Sequence, residues 1–160
     1  MPYWGLVVTS DSVKKGEKED RVTPLVAEAL SREGETLVYN AVVGNDPVEI
    51  LYALASAMQA GADIVLVTGG SGPGPRDVSA DIAARLAERE LPGIGEEFRR
   101  RSLEKGVANA LLSRASGYVF AGRVIVVSPG SPDAVSTMLS LLLPVAGHLV
   151  AQARGAKHRH

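Results

Sequence analysis

Residues 63–68 read Asp-Ile-Val-Leu-Val-Thr, and residues 69–77 read Gly-Gly-Ser-Gly-Pro-Gly-Pro-Arg-Asp. The first segment is a short apolar run rich in branched side chains, which is typical of a strand buried on both faces of a parallel sheet. The second segment is a loop, and its glycines let the backbone approach a ligand without a Cβ in the way. A helix is predicted from Ala80 to Glu90, with Ser79 as its N-cap. The rest of the chain is organised around this strand, loop and helix.

The glycine loop, residues 69–77, has the chemistry of a phosphate site. Main-chain N–H groups in such a loop can point inward and hold phosphate oxygens. Arg76 adds a fixed cation that suits phosphate, and Asp77 adds a carboxylate that suits Mg²⁺. A strand, a glycine loop, a charged pair and a helix start together favour phosphoryl chemistry at the carboxyl end of a sheet.

Two general phosphate motifs do not match this loop. A P-loop requires Gly-Lys-Ser/Thr at its end, and Pro75 and Arg76 follow the last glycine here. The dinucleotide fingerprint fails because its third glycine position is also Pro75. An ordinary strand-to-helix connection rich in glycine remains the alternative. The Arg-Asp pair directly after the glycines favours the phosphate site.

Composition limits the class of protein. A chain of 160 residues predicts one domain, which we assign to residues 1–153, followed by a basic, flexible tail at residues 154–160. A formal net charge of −1 gives no general attraction for nucleic acid or an anionic membrane. The absence of cysteine excludes disulfides, thiolate metal sites and cysteine nucleophiles.

The sequence also predicts where the protein resides. Residues 1–4 lead straight into a strand-like run and lack a signal-peptide pattern. No apolar run is expected to approach the roughly 20 residues that span a bilayer. We therefore expect a cytoplasmic protein without a membrane partner.

Strands alternate with helices along the chain, which predicts a three-layer α/β/α fold with a mostly parallel sheet. Asp46 and Ser131 are each followed by proline, as is typical of an N-cap and the first helical position. Residues 91–95 are expected to form a non-helical connection between two helices. The crossovers of such a fold bring four loops to one edge of the sheet. The predicted strands are 3–9, 36–43, 63–68, 118–120 and 123–127, and the converging loops contain Asp11, residues 44–47, residues 69–77 and residues 128–132.

Several motifs occur in an order that resembles the MogA/MoaB family of molybdenum-cofactor biosynthesis proteins, whose fold the gephyrin G domain shares. The strongest match is Thr-Gly-Gly-Ser-Gly at residues 68–72, followed by Pro-Arg-Asp-Val at residues 75–78. Residues 91–96 and residues 128–132 also match in order. The resemblance covers nearly the whole chain.

This resemblance implies an adenylyltransferase. Members of the family transfer the adenylyl group of Mg²⁺-ATP to molybdopterin and release pyrophosphate. It implies a homo-oligomer, a trimer or a hexamer, and contacts with other enzymes of the cofactor pathway. The implied catalytic residues are Asp77, Asp46 and Asn45, with Asp77 and Asp46 as Mg²⁺ ligands. The implied binding residues are Asp11, Thr68, Gly69, Gly70, Ser71, Gly72, Arg76, Glu96, Ser128, Pro129, Gly130 and Ser131.

The chain departs from the family pattern after the second strand. Active members usually carry Pro-Asp there, and this chain has Gly44-Asn45, so an amide replaces the first carboxylate. An amide oxygen can still ligate a cation, but it brings no negative charge. A non-catalytic molybdopterin-binding or scaffold protein is therefore the second hypothesis. A third is the related domain of competence-damage-inducible proteins, and a fourth is a generic flavodoxin-like binding module.

Overall fold

The computed structural model describes residues 1–156, which fold as a six-stranded sheet between helices. The strands lie in the order β2-β1-β3-β6-β5-β4. The pairs β1–β2, β1–β3 and β3–β6 are parallel, whereas β5 is antiparallel to both β6 and β4. The strands are β1 Tyr3–Thr9, β2 Thr36–Val43, β3 Ile64–Thr68, β4 Arg89–Leu91, β5 Ser116–Phe120 and β6 Arg123–Ser128. The helices are α1 Asp11–Lys14, α2 Val22–Arg32, α3 Pro47–Gln59, α4 Ser79–Leu86, α5 Pro92–Glu104, α6 Pro132–Leu142 and α7 Ala146–Ala153.

Each face of the sheet carries its own hydrophobic core, so the three-layer α/β/α prediction is confirmed. Successive side chains of a strand point to opposite faces. Accordingly, Leu66 of β3 packs in the core beneath α2, α5, α6 and α7, and its neighbours Val65 and Val67 pack in the core beneath α3 and α4. All three side chains are buried. The apolar run at residues 64–67 is therefore the strand buried on both faces that the sequence predicts.

The helix caps predicted at Asp46 and Ser131 are present, and the strands predicted at residues 118–120 and 123–127 form a hairpin. The side chain of Asp46 accepts a hydrogen bond from the Glu49 N–H, and that of Ser131 accepts one from the Ala134 N–H. Ala121 and Gly122 join β5 to β6 with φ angles of 50° and 73°. Two consecutive positive φ angles are typical of a type I′ turn, which matches the twist of a two-stranded hairpin.

The region after the glycine loop differs from the prediction. Ser79 is the first helical residue of α4, and the N-cap is Val78, which makes no side-chain cap bond. The helix ends at Leu86 instead of Glu90 because Glu88 N–H and the following residues bond to β5 and form β4. The expected break at residues 91–95 is also wrong, since α5 begins at Pro92. Proline suits the first position of a helix because its missing N–H is not needed there.

The C-terminal segment corrects one further expectation. The helical run Pro132–Ala153 contains an 18-residue window with a mean hydropathy of 1.7 and is long enough to cross a bilayer, so the expectation that no apolar segment approaches that length is wrong. Its Val135, Met138 and Leu142 are fully buried against the sheet, as in a core helix. Arg154, placed by the sequence in a flexible tail, forms an ion pair with the buried Asp63. The other end of the predicted tail, residues 157–160, lies outside the described residues.

Candidate functional site

The glycine loop follows β3 at the carboxyl edge of the sheet and is docked against the neighbouring strand. Gly69 N–H donates to the carbonyl of Ser128 at 2.8 Å. Gly69 and Gly70 have φ angles of 96° and 70°, and a Cβ at position 69 would lie 2.3 Å from the carbonyl oxygen of Thr9. Both the left-handed backbone and this close approach require glycine. The loop can therefore keep this conformation only with glycine at positions 69 and 70.

Consecutive amides of this loop are available to a ligand. Within residues 1–156, the main-chain N–H groups of Gly70, Ser71 and Gly72 have no hydrogen-bond acceptor. The three residues line a cavity with a volume of about 760 Å³. Uncommitted N–H groups beside a cavity form an anion-binding concavity.

The opposite wall of this cavity comes from the loop after β6 and from α6. Pro129, Gly130 and Ser131 line it, as the sequence predicts for a second ligand-binding loop. The wall also contains polar residues from α5, from α6 and from in and near the 3-10 turn Ala108–Leu112 that the sequence motifs do not reveal. No motif marks most of these positions, because α5 and the turn reach the cavity only through tertiary packing. Asp133 could have been found, since it directly follows the predicted cap and Pro132. The missed polar residues are Ser102, Lys105, Asn109, Ser113, Asp133 and Thr137.

Asp77 lies in the same cavity and is partly buried. One of its carboxylate oxygens accepts a hydrogen bond from Gly74 N–H at 2.9 Å. A Cβ on Gly72 would approach this carboxylate to 2.8 Å, and one on Gly74 to 2.9 Å. The glycines of the loop thus leave room for the Asp77 carboxylate to fold back beside the amides. A carboxylate in this position could hold a cation that arrives with a phosphate.

Arg76 is engaged in an ion pair that connects three of the predicted loops. Its Nε and Nη2 donate to Asp11 Oδ2 at 2.9 and 2.7 Å, and Asp11 Oδ1 accepts from Asn45 N–H at 2.9 Å. The Asn45 N–H and then the Arg76 guanidinium hold the pKa of Asp11 below its usual range. A lowered carboxyl pKa stabilises the folded protein above the unfolded value and loses that contribution as pH falls through the folded value. These three side chains stand outside the lining of the 760 Å³ cavity.

Two predicted site residues carry buried polar atoms without a partner. Asn45 Oδ1 and Thr68 Oγ1 are both inaccessible to solvent and have no hydrogen bond within residues 1–156. Burying a polar atom without a partner costs about 1–3 kcal/mol. Asn45 stands where the family usually places a carboxylate, and Thr68 is the last residue of β3. Both positions have polar groups that folding alone does not satisfy.

The remaining predicted residues are more dispersed. Asp46 caps α3 through Oδ2, at 3.1 Å from Glu49 N, and does not line the cavity that contains Asp77. Glu96 is exposed on α5, one turn after the helix begins at Pro92, and also lies outside that lining. Ser128 is fully buried, and its hydroxyl donates to the Pro129 carbonyl. The structure thus gathers Gly70, Ser71, Gly72, Asp77 and residues 129–131 around one cavity. The other predicted site residues lie outside its lining: Asp11, Asn45, Asp46, Thr68, Gly69, Arg76, Glu96 and Ser128.

A second cavity of about 460 Å³ adjoins the first across Gly130 and Ser131, which line both. Its other walls are the end of β1 and the charged segment before α2. Thr68 lines it, together with Lys18 and Asp20. The two cavities give the carboxyl edge of the sheet enough space for a ligand larger than a phosphate.

A magnesium site made of protein alone is absent from the described residues. Within residues 1–156, no group of three or more histidine or acidic side chains could hold a metal ion. Mg²⁺ is usually bound by one or two carboxylates together with substrate phosphates and water. The Asp77 carboxylate beside three open amides fits an ion that arrives with a phosphate ligand.

The fold and the site define an α/β protein with a cavity lined by open main-chain amides at the carboxyl edge of a mostly parallel sheet. Residues 5–148 match a family model described as a probable molybdopterin binding domain. The chain therefore belongs to this family of molybdenum-cofactor biosynthesis domains, and the predicted family resemblance is confirmed.

Similar proteins carry consistent names. A molybdopterin adenylyltransferase of Pyrococcus furiosus is 39% identical over 155 residues, which cover 94% of this chain and 90% of the relative. A molybdopterin adenylyltransferase of Escherichia coli is 32% identical over 149 residues, covering 91% and 76% of the two chains. The crystal structure of the tungsten cofactor synthesizing protein MoaB from Pyrococcus furiosus superposes with a TM-score of 0.89 at 35% identity and covers 96% of this chain and 98% of that one.

A more distant solved structure shares the fold. The crystal structure of the protein CinA from Thermoplasma acidophilum has a TM-score of 0.67 at 16% identity and covers 88% of this chain and 95% of that one. Likeness at this identity shows the fold alone. The family match and the higher identities above favour the molybdopterin-binding family over this more distant group.

Proposed function

We propose that the protein transfers the adenylyl group of ATP to molybdopterin. An oxygen of the terminal phosphate of molybdopterin attacks the α-phosphorus of ATP and forms a new P–O bond. The bond from the α-phosphorus to the bridging oxygen breaks, and pyrophosphate leaves with the electron pair. The observation that carries the proposal is the 760 Å³ cavity, where open amides and the Asp77 carboxylate face the loop before α6. The names of the relatives supply the substrate.

The residues of the chain bind and orient the phosphates in this proposal. Phosphoryl transfer requires mainly positioning and charge neutralisation. The N–H groups at residues 70–72 bind phosphate oxygens, and the N-terminus of α6 adds a favourable dipole. Asp77 would hold Mg²⁺, which supplies charge neutralisation on the phosphates when bound. The predicted second ligand, Asp46, caps α3 and could reach the ion only if its loop moved.

The direct experiment uses the purified chain with molybdopterin and Mg²⁺-ATP and follows pyrophosphate. We expect release that depends on all three components, with adenylylated molybdopterin as the second product. Omitting molybdopterin distinguishes the transfer from simple ATP hydrolysis. Molybdopterin that binds without any turnover would contradict the proposal and favour a binding or scaffold protein.

Asn45 favours that second candidate, a non-catalytic molybdopterin-binding protein. It replaces the usual carboxylate, and its Oδ1 is buried without a hydrogen bond. We expect Asn45→Asp to raise adenylyl transfer by about 10-fold if a missing negative charge limits the reaction, because one charge near a bound cation is worth roughly 1–2 kcal/mol. The measurement is kcat at saturating Mg²⁺-ATP.

Asn45→Gln is the matched control, since it keeps the amide and adds no charge. Asp11, which accepts the Asn45 N–H, is paired with Arg76, so a new carboxylate at position 45 would not face an uncompensated negative group. An Asn45→Asp variant with unchanged kcat would show that the missing carboxylate does not limit the chain.

We also infer that the chain acts as a homo-oligomer, a trimer or a hexamer. We infer that it resides in the cytoplasm and that other enzymes of the cofactor pathway are its partners. Large apolar side chains on α3 support an interface between copies: Val48 is 72% exposed and Tyr52 is 75% exposed. An exposed apolar surface of this kind commonly marks an interaction site. Sedimentation velocity should give a trimer or hexamer mass. Val48→Glu combined with Tyr52→Glu should dissociate the oligomer, and a monomeric wild type would contradict the inference.

A further inference from the structure

We propose that Arg114 is a positioning residue that holds the glycine loop in its ligand-binding conformation, and this proposal rests on the function proposed above. Arg114 lies between the 3-10 turn Ala108–Leu112 and β5. Its Nε donates to the Gly72 carbonyl at 2.9 Å, and its Nη2 donates to the Asp77 carbonyl at 2.6 Å. Its main-chain N–H donates to the Ser71 carbonyl at 2.7 Å. One residue thereby fixes carbonyl groups at both ends of the loop segment 71–77.

These contacts determine which way an amide of the loop faces. In a trans peptide the N–H points opposite to the C=O of the same unit. Because the Ser71 carbonyl is directed at Arg114, the N–H of Gly72 is directed away from Arg114. That N–H has no acceptor within residues 1–156, and Gly72 lines the large cavity. Arg114 therefore helps keep the amide open for a phosphate oxygen.

Asp81 on α4 holds the guanidinium from the other side. Arg114 Nη1 lies 2.8 Å from Asp81 Oδ1, and Nη2 lies 3.2 Å from Asp81 Oδ2. The hydrogen bond to Arg114 is the largest cause that lowers the pKa of Asp81. Ala80 and Ala83, on the same helix, are buried in the core, so Asp81 is a fixed anchor. The planar fork of arginine can serve this carboxylate and two carbonyls together, which the single ammonium of lysine cannot do.

Arg114 acts through the loop and does not itself line the cavity. Its side chain and that of Asp81 face a separate shallow depression of about 370 Å³, which shares Ser113 with the cavity wall. Removing the guanidinium should therefore loosen the phosphate site without removing a group that touches the substrate. The effect should appear in the binding of phosphates and in the orientation of ATP.

The test compares Arg114→Ala and Arg114→Lys with Arg123→Ala. Arg123 donates to the Ala121 carbonyl in the hairpin turn, so its loss removes the same charge far from the loop. We expect kcat/KM for ATP to fall about 10- to 100-fold in both Arg114 variants, because lost positioning of reacting groups has effects of this size. The dissociation constant of inorganic pyrophosphate, measured by calorimetry, should rise in parallel. Arg123→Ala should stay within about twofold of wild type.

Chemical rescue separates loop positioning from general loss of stability. Millimolar guanidinium ion should restore part of the activity and of the pyrophosphate affinity of Arg114→Ala, and should not raise those of Arg123→Ala. An Arg114→Lys variant with the wild-type kcat/KM for ATP and the wild-type dissociation constant for pyrophosphate would overturn the proposal, because charge alone would then suffice. An Arg114→Ala variant with wild-type constants would overturn it as well.

Asp81→Asn provides a second variant in case Arg114→Ala does not fold. It keeps the arginine and removes the charge that anchors it, so we expect a smaller loss in the same direction without rescue by guanidinium. Unchanged constants in Asp81→Asn would overturn the anchoring role. If the wild type binds pyrophosphate but forms no adenylylated product, the proposed function fails, and the binding data still decide the role of Arg114. A wild type that does not bind pyrophosphate overturns the positioning role itself.

Discussion

Asp77→Asn should lower kcat for adenylyl transfer by about 100- to 1,000-fold, since removing one preorganised electrostatic group from an active site typically costs this much. Asparagine keeps nearly the same shape and retains an oxygen that can accept the Gly74 N–H now bound by Asp77. The loop should therefore keep its conformation while the cavity loses its charge. Pyrophosphate release under saturating substrates measures the effect, and a titration of Mg²⁺ should show a weaker apparent affinity for the ion.

The control for Asp77→Asn is Glu28→Gln, which removes the same charge from the exposed surface of α2. It should retain wild-type kcat and Mg²⁺ dependence. Full activity of Asp77→Asn would contradict the assignment of Asp77 as the cation ligand. A loss of activity together with a lowered melting temperature would instead point to a role in loop folding, because both carboxylate oxygens lie close to the loop glycines.

The sequence predicts the part of the site that local chemistry determines. Positive φ angles at Gly69 and Gly70 follow from the residue type, and the cap of Ser131 with Pro132 follows from a short pattern. The strand at residues 64–68 follows from its composition. Since parallel crossovers bring successive loops to one edge, the convergence of the glycine loop with the loop after β6 could also be predicted.

Other features of the site depend on contacts between distant segments. The pair formed by Arg114 and Asp81 joins residues 33 positions apart, and no spacing rule connects them. Lys105 reaches the cavity from the end of α5 because Phe98 and Ser102 pack inward on that helix. β4 replaces the predicted last turn of α4 because pairing with β5 outweighs the helical propensity of Glu88 and Arg89. Tertiary packing decides each of these cases.

The motif at residues 91–96 matches the family pattern, but the structure explains it by packing and not by the ligand binding that the resemblance implies. The family resemblance gives it a ligand-binding role through Glu96, which is exposed. The structure gives it a packing role through Gly95, which is buried where α5 meets the start of β5. A Cβ at position 95 would lie 1.9 Å from the Ala115 carbonyl oxygen and 2.9 Å from its carbon. Backbone atoms at this distance cannot rotate away, so the helix and the strand would have to separate.

Gly95→Ala should therefore destabilise the protein by about 3 kcal/mol, at the upper end of typical overpacking costs. For a domain of this size that corresponds to a fall in melting temperature of roughly 6–12 °C. Calorimetry or denaturant unfolding measures it. Activity should fall as well, because residues of α5 and Ser113 line the cavity, and the adjacent Arg114 supports the glycine loop.

Gly93→Ala, two residues earlier on the same helix, is the matched control. No atom lies within 4 Å of a Cβ built at position 93, and its φ lies outside the left-handed region. Alanine there should be neutral or stabilise the helix by about 0.5–1 kcal/mol, because glycine has the larger entropy cost of folding. Changes of opposite sign in the free energy of unfolding at the two positions would establish that the motif preserves a contact between α5 and β5. Equal, small effects would show that α5 can move away from β5, and the exposed Glu96 would then be the better explanation of the motif.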